Sequence, residues 1–146
     1  MRDTPIRVTE FTPVRGHRND EGVSTVALHG SRERTLVTVD GAVVCARCRI
    51  AKNPWTRMRG LLGRKRLDYG EGILLRPASS VHTFFMLFPI DVVFLDRDLS
   101  VLRVVPEVPP WRTVWRSGAA AVLELAAGEC TARGVGVGDR LDWVVA

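Results

Sequence analysis

The sequence predicts a mainly β (α+β) domain: a small antiparallel barrel or sandwich of short strands with one or two short helices. Three observations predict it. The apolar runs are short, closely spaced and separated by turn residues such as Asp96-Arg97-Asp98-Leu99, which is the pattern of all-β architectures. Asp40-Gly41 stands between Thr35-Leu36-Val37-Thr38-Val39 and Ala42-Val43-Val44-Cys45-Ala46, the strongest hairpin signal in the chain. Helix-starting chemistry is clearest at Asn53-Pro54, and glycines follow it closely.

Taken in order, residues 1 to about 22 mix charges with Pro5, Pro13, Gly16 and Gly22 and read as an irregular arm. Val23–His29 and Thr35–Val39 alternate as strands do. Asp-Gly tolerates the positive φ of a type I′ turn, so a strand, a tight turn and a longer strand to about Ile50 are expected. Asn53 can cap free amides and Pro54 loses no hydrogen bond at the first helical position. Trp55, Met58 and Leu62 then form one apolar stripe with Arg57, Arg59 and Arg64 largely off it, and Gly60 and Gly63 keep the helix short. Beyond the turn-rich Asp68–Gly72, strands are expected at Ile73–Leu75, Val81–Met86, Asp91–Leu95, Val101–Val105, Ala121–Leu125 and Leu141–Val145. The run Val81–Asp96 is apolar almost throughout and is assigned to the core.

A chain of 146 residues has the size of one domain. No apolar run reaches the roughly 18 to 20 residues of a membrane span, and Met1-Arg2-Asp3-Thr4-Pro5 lacks a signal-peptide apolar region. No membrane span is expected, and the expected compartment is the cytoplasm. Cys45, Cys48 and Cys130 are too few for a disulfide scaffold, which fits a reducing compartment. Eight basic residues and no acidic one lie between Cys45 and Arg66, so the positive excess is one local patch, Arg47–Arg66. Such a patch suits phosphates or an acidic partner, and equally makes an ordinary solvated face.

Catalytic chemistry is sparse. Cys45-x-x-Cys48 falls inside a predicted strand, where positions i and i+3 face opposite sides, so it lacks the setting of a redox pair. A zinc site would need two further ligands, and Cys130, His17, His29 and His82 show no paired spacing. No metal and no cofactor are expected. Ser79 and Ser80 precede His82 without nucleophile-elbow glycines. His82 reads as a hydrogen-bonded core or rim histidine, and Asp91 and Glu124 as buried carboxylates that accept backbone amides or pair with an arginine such as Arg57. A small hydrolase-like enzyme using His82 with Asp91 or Glu124 is the competing reading.

One segment favours binding. Pro109-Pro110-Trp111-Arg112-Thr113-Val114-Trp115-Arg116 lies between predicted strands as a surface connection. Indole and guanidinium faces stack on sugars, bases or partner side chains. The alternative is that Trp111 and Trp115 fold down and plug the open end of a barrel.

Several segments together resemble the domain of unknown function 192 family. Arg57 with Gly60-Leu61-Leu62 and Arg64 is similar to its arginine and Gly-Leu-Met segment. Phe84-Phe85-Met86, with Ile90-Asp91 and Phe94-Leu95-Asp96, is similar to its Phe-Trp-Met and Leu-Asp segments. Val122-Leu123-Glu124-Leu125 with Gly128, then Gly134 and Gly138-Asp139, resembles its Val-Leu-Glu-Leu and closing Gly-Asp pattern. The resemblance implies a compact β-rich fold with one or two short helices and no established activity. Leu87-Phe88-Pro89 departs from the family's polar Lys-Asn-Thr step. The match runs over residues 42–146, leaving residues 1–41 as an N-terminal extension that carries a hairpin strand.

The sequence therefore reads as a non-catalytic ligand- or partner-binding accessory module rather than an enzyme. Its expected ligand-binding residues are Trp111, Arg112, Trp115, Arg116 and Arg57, and its expected partner is a small molecule, a sugar or a protein. A nucleic-acid binder using the Arg47–Arg66 patch is the third class, and nucleic acid is not the expected partner.

Overall fold

A computed structural model describes residues 33–53, 61 and 63–144. The arm at 1–22, the strand expected at Val23–His29, the helix expected from Asn53-Pro54 and its Arg57 and Arg59 fall outside these, apart from Asn53, Leu61, Gly63 and Arg64. The described strands are β1 (Arg34–Thr38), β2 (Val43–Ala51), β3 (Glu71–Leu75), β4 (Ser80–His82), β5 (Ile90–Leu95), β6 (Val101–Val108), β7 (Thr113–Trp115), β8 (Ala121–Ala126) and β9 (Leu141–Trp143), with one short helix, α1 (Glu129–Arg133), before the last.

Seven strands form one sheet in the order β6-β5-β8-β3-β2-β1-β9, and β4 and β7 form a separate two-stranded ribbon. The fold is mainly β, as expected, and sandwich-like. The expected all-antiparallel arrangement is broken once. β2 and β3 run parallel, because a long connection rather than a hairpin joins them. The outer strands β6 and β9 come together at one point, the Ser100–Arg140 bridge, reinforced by Val101 N–H to Asp139 O at 2.7 Å and Leu141 N–H to Leu99 O at 2.9 Å. Among the described residues no continuous ladder closes the sheet into a barrel.

The β1–β2 hairpin forms where Asp40-Gly41 predicts it, with a different turn. Gly41 N–H donates to Thr38 O at 2.8 Å and Thr38 N–H to Ala42 O at 2.8 Å. Only Gly41 takes a positive φ, 94°. A type I′ turn needs positive φ at both central residues, so this is the alternative in which a single left-handed glycine follows the turn.

Two apolar layers flank the sheet. Strands β5 and β8 are buried at all six positions, and their side chains alternate between the layers. Val93, Leu95, Leu123 and Leu125 point inside the curl of the sheet, toward Leu36, Cys45, Cys48, Leu141 and Cys130 of α1. Ile90, Val92, Phe94 and Val122 point to the other face, where Val81, Val114, Met86, Phe88, Leu61 and Leu67 cover them. The ribbon of β4 and β7 is therefore a lid over the outer face, held by Val81 and Val114.

Candidate functional site

Burying one face of the ribbon forces its other face outward. Ser80 pairs with Trp115, Val81 with Val114 and His82 with Thr113. Directly opposed residues share a face, so Trp115, His82 and Thr113 project away from the core on the side opposite Val81 and Val114.

At the end of the ribbon, Thr83 fixes two turns at once. Its buried hydroxyl donates to Pro109 O at 2.7 Å and accepts from Arg112 N–H at 3.0 Å. Its carbonyl accepts Met86 N–H at 3.3 Å and Trp111 N–H at 3.0 Å. The 83–86 turn puts Phe85 at φ 63°, and the 109–112 loop puts Trp111 at φ 63°. A left-handed conformation costs a residue with a Cβ roughly 1–2 kcal/mol. Both strained residues are aromatic and both are exposed, Phe85 at 66% and Trp111 at 56%.

The rings form a continuous surface. His82 stacks on Phe84 at 5.0 Å between centroids, Phe84 on Trp111 at 5.8 Å, and Phe85 meets Trp111 edge-on at 4.8 Å. Trp115 stands on the same face of the ribbon as His82, and Trp115 and Leu87 are each more than half exposed. Around the rim, Arg112 donates to Trp111 O, Arg103 to Trp115 O and Arg116 to Ser117 O, so the guanidinium groups brace the loop while remaining in solvent. A cavity of about 550 Å³ opens past the Trp115 end, beside Ser79, Arg97 and Gly118.

Of the residues the sequence singles out, Trp111, Arg112, Trp115 and Arg116 all lie on this exposed surface; Arg57 lies outside the described residues. Trp111 and Trp115 do not fold down into the core. The assignment of the whole Val81–Asp96 run to the core is corrected: Phe84, Phe85 and Leu87 point to solvent, because Thr83 ends β4 and starts a turn. Those three residues are the part of the surface that sequence reasoning missed, and an apolar run too long for the short strands around it was the available signal.

His82, Asp91 and Glu124 do not converge. His82 is exposed on the ribbon. Asp91 is fully buried; its Oδ1 accepts Glu107 N–H at 2.8 Å and Gly128 N–H at 3.1 Å, and its Oδ2 accepts Cys130 N–H at 2.8 Å. Gly128, the N-cap of α1, has no side chain, and Asp91 supplies the missing acceptor from β5. An extra residue in β6, between the Ile90–Val108 and Val92–Val105 pairs, turns Glu107 N–H toward it. Glu124 pairs with Val92 and Ile73, so it faces the outer layer. A further buried carboxylate, Glu129, accepts Gly70 N–H at 2.9 Å and both Arg133 Nε and Nη2.

The expected separation of Cys45 and Cys48 is also corrected. Arg34 pairs with Cys48 and Leu36 with Cys45, so β2 fits three residue steps against two of β1. That bulge cancels the alternation, and both thiols point into the inner layer, fully buried. The Cys45 thiol, hydrogen-bonded to Cys48, and then burial push Cys48 far above the ordinary thiol range. Burial and the neighbouring Asp91 and Glu129 charges push Cys130 up to about 12. Among the described residues, no three His, Cys, Asp or Glu side chains are grouped to hold a metal ion.

The basic patch is partly neutralised by carboxylates that come later in the chain. Glu71 takes Arg64 at 2.7 Å and Arg47 at 3.6 Å, and Asp68 takes Arg66 at 2.8 Å. Burial works to raise the Glu71 pKa, but the Arg64 hydrogen bond, the Asp68 N–H and the two arginine charges together hold it below its usual value. No described helix is long and apolar enough to cross a membrane.

Comparison with known proteins places this architecture. A UPF0127 protein from Thermococcus sibiricus is 34% identical over 110 residues, 72% of this chain and 71% of the relative. A UPF0127 protein from Pyrococcus furiosus is 35% identical over 112 residues, 74% of this chain and 96% of the relative. The crystal structure of a "putative transcription regulator" from Sinorhizobium meliloti superposes with a TM-score of 0.67 at 26% identity, over 76% of this chain and 92% of that one. A protein of unknown function from Novosphingobium aromaticivorans gives the same TM-score at 23% identity, over 84% of this chain and 91% of that one, a likeness of fold. The model of the DUF192 family, described as Uncharacterized ACR, matches residues 35–143, and the chain belongs to that family.

Proposed function

We propose that this chain is a non-catalytic docking module whose recognition surface is the outward face of the β4/β7 ribbon, and that its partner is a protein. One observation carries the reading: Phe85 and Trp111 hold strained left-handed backbones while presenting their rings to solvent. Strain that contributes nothing to the core is retained where a site uses the residue. Aromatic rings with arginine at the rim are the composition of interface hot spots. Exposed Leu87, two residues after Phe85, favours an apolar protein surface over a sugar. The exposed rings are mutually braced, so little side-chain entropy is lost on contact.

A second reading is supported by the same arginines: bases can stack on Trp111 and Trp115 with Arg112 and Arg116 near the phosphates. The description of the Sinorhizobium meliloti neighbour is compatible with contact to nucleic acid. The pairing of Arg47, Arg64 and Arg66 with carboxylates weakens it here.

The test is photo-crosslinking in the native host with p-benzoylphenylalanine replacing Phe85, against the same group at exposed Val137. A discrete protein adduct at position 85, absent at 137 and lost with Trp111→Ser, is expected. No adduct above the control, or an adduct only to nucleic acid, overturns the protein-docking reading.

A further inference from the structure

The inner face of the curled sheet ends in a mouth ringed by cations, and its construction follows from the two-residue period of the strands. Leu36 points into the inner layer, so Arg34, two residues earlier on β1, continues the same face to its open end. Cys48 and Ile50 lead likewise to Lys52, and Leu74 leads to Arg76. Ile50 pairs with Leu74 across the parallel ladder and Trp143 pairs with Leu36 across β1 and β9, so these side chains share that face. They line one cavity of about 380 Å³.

Its chemistry is two-sided. Ile50, Leu74 and the indole of Trp143 form an apolar floor and wall, with Arg34 held 5.7 Å from the Trp143 ring centre. Arg34, Lys52 and Arg76 supply three positive charges. Arg76 donates to Arg97 O at 3.1 Å, and none of the three forms an ion pair among the described residues. Among the described residues no carboxylate lines the cavity, because Glu33, just before β1, and Asp142 of β9 fall on the alternate positions. Three like charges around one small cavity repel each other unless an anion sits between them, and an indole beside a guanidinium offers a flat surface to a planar body. The volume is at the low end of the range for small-molecule sites.

We propose that this mouth binds a small organic anion: an apolar, preferably planar body against Ile50, Leu74 and Trp143, with a carboxylate or phosphate held between Arg34, Lys52 and Arg76. The site is separate from the ribbon and does not depend on the docking role. Guanidinium groups recognise either head group through paired N–H donors.

The experiment titrates the full chain at low salt with phenyl phosphate, benzoate and, as the neutral control, benzyl alcohol. The readout is the set of indole N–H resonances, with Trp143 identified by its loss in Trp143→Phe. The expected result is that an anion shifts Trp143 while Trp111 and Trp115 stay in place, that benzyl alcohol binds at least about tenfold more weakly, and that Arg34→Gln with Arg76→Gln weakens the anion by a similar factor. Phenyl phosphate outbinding benzoate identifies a phosphate head, and the reverse a carboxylate. Arg34 and Arg76 are exposed and Trp143 is half-buried, and an unchanged pattern of the other indole signals verifies that each variant is folded. An unmoved Trp143, equal binding of benzyl alcohol, no loss in the double variant, or shifts at Trp111 and Trp115 instead would each overturn the proposal.

Discussion

Asp91 and Glu124 lie on adjacent strands one residue out of register, Asp91 opposite Leu125 and Glu124 opposite Val92, so their carboxylates point to opposite faces of the same sheet. No side-chain rotation brings them together, because a strand's faces are set by its backbone. A shared acid–base site is thereby replaced by two separate buried carboxylates, and the role of Asp91 is readable from its three amide donors.

Asp91→Ala is expected to destabilise the fold by about 3 to 5 kcal/mol, the usual result of removing one partner from a buried, hydrogen-bonded charge. It would leave the N–H groups of Glu107, Gly128 and Cys130 without their acceptor. Urea unfolding followed by circular dichroism measures it, and a midpoint equal to wild type would refute the structural assignment.

Glu71 gives the protein an acid-dependent contribution to stability. Its folded pKa lies below the ordinary 4.5, so the stabilisation is complete above 4.5 and is lost as pH falls through the depressed folded value. Glu71→Gln should be less stable than wild type near neutrality, with the gap closing on acidification. A gap that stays constant with pH would show that the Arg64 and Arg47 contacts contribute nothing through charge.

The thiols are expected to be inert in the folded protein. With Cys130 at about 12 and Cys48 above the usual thiol range, neither supplies thiolate near neutral pH, and thiolate is the reacting form. Iodoacetamide followed by intact mass should label none of the three cysteines until the chain is unfolded. Rapid native labelling of Cys48 would contradict its burial beside Cys45.

Phe85 and Phe94 should respond differently to truncation. Phe94→Ala empties a fully buried site and should cost about 3 to 5 kcal/mol. Phe85→Gly loses a ring contact of about 0.5 to 1.5 kcal/mol but relieves a left-handed strain of about 1 to 2 kcal/mol, so stability should stay close to wild type. A loss at Phe85 as large as that at Phe94 would mean that the exposed ring serves folding rather than contact.

Local pattern carried the strands well. Alternation placed β1, β2, β5, β6 and β8 to within a few residues, and Asp40-Gly41 marked the β1–β2 hairpin. β7 was missed, since a three-residue strand with one inward side chain, Val114, has no period to detect. α1 was missed as well: its N-cap is a glycine, and the acceptor that completes it is Asp91, far earlier in the chain.

What the sequence determined by itself is the fold class, the order of most strands and the presence of aromatic and arginine residues on the segment Trp111–Arg116. Those follow from spacing and turn chemistry, which act over a few residues. The tertiary structure alone decided which way side chains face. A bulge against β1 turned Cys45 and Cys48 to the same side, and Thr83, bonded to Pro109 and Arg112, released Phe84 and Phe85 from a run that otherwise reads as core. The inward faces of β1, β2, β3 and β9 gathered Arg34, Lys52, Arg76 and Trp143 around one mouth. Each of these depends on register between strands distant in sequence, and a shift of one residue would reverse it.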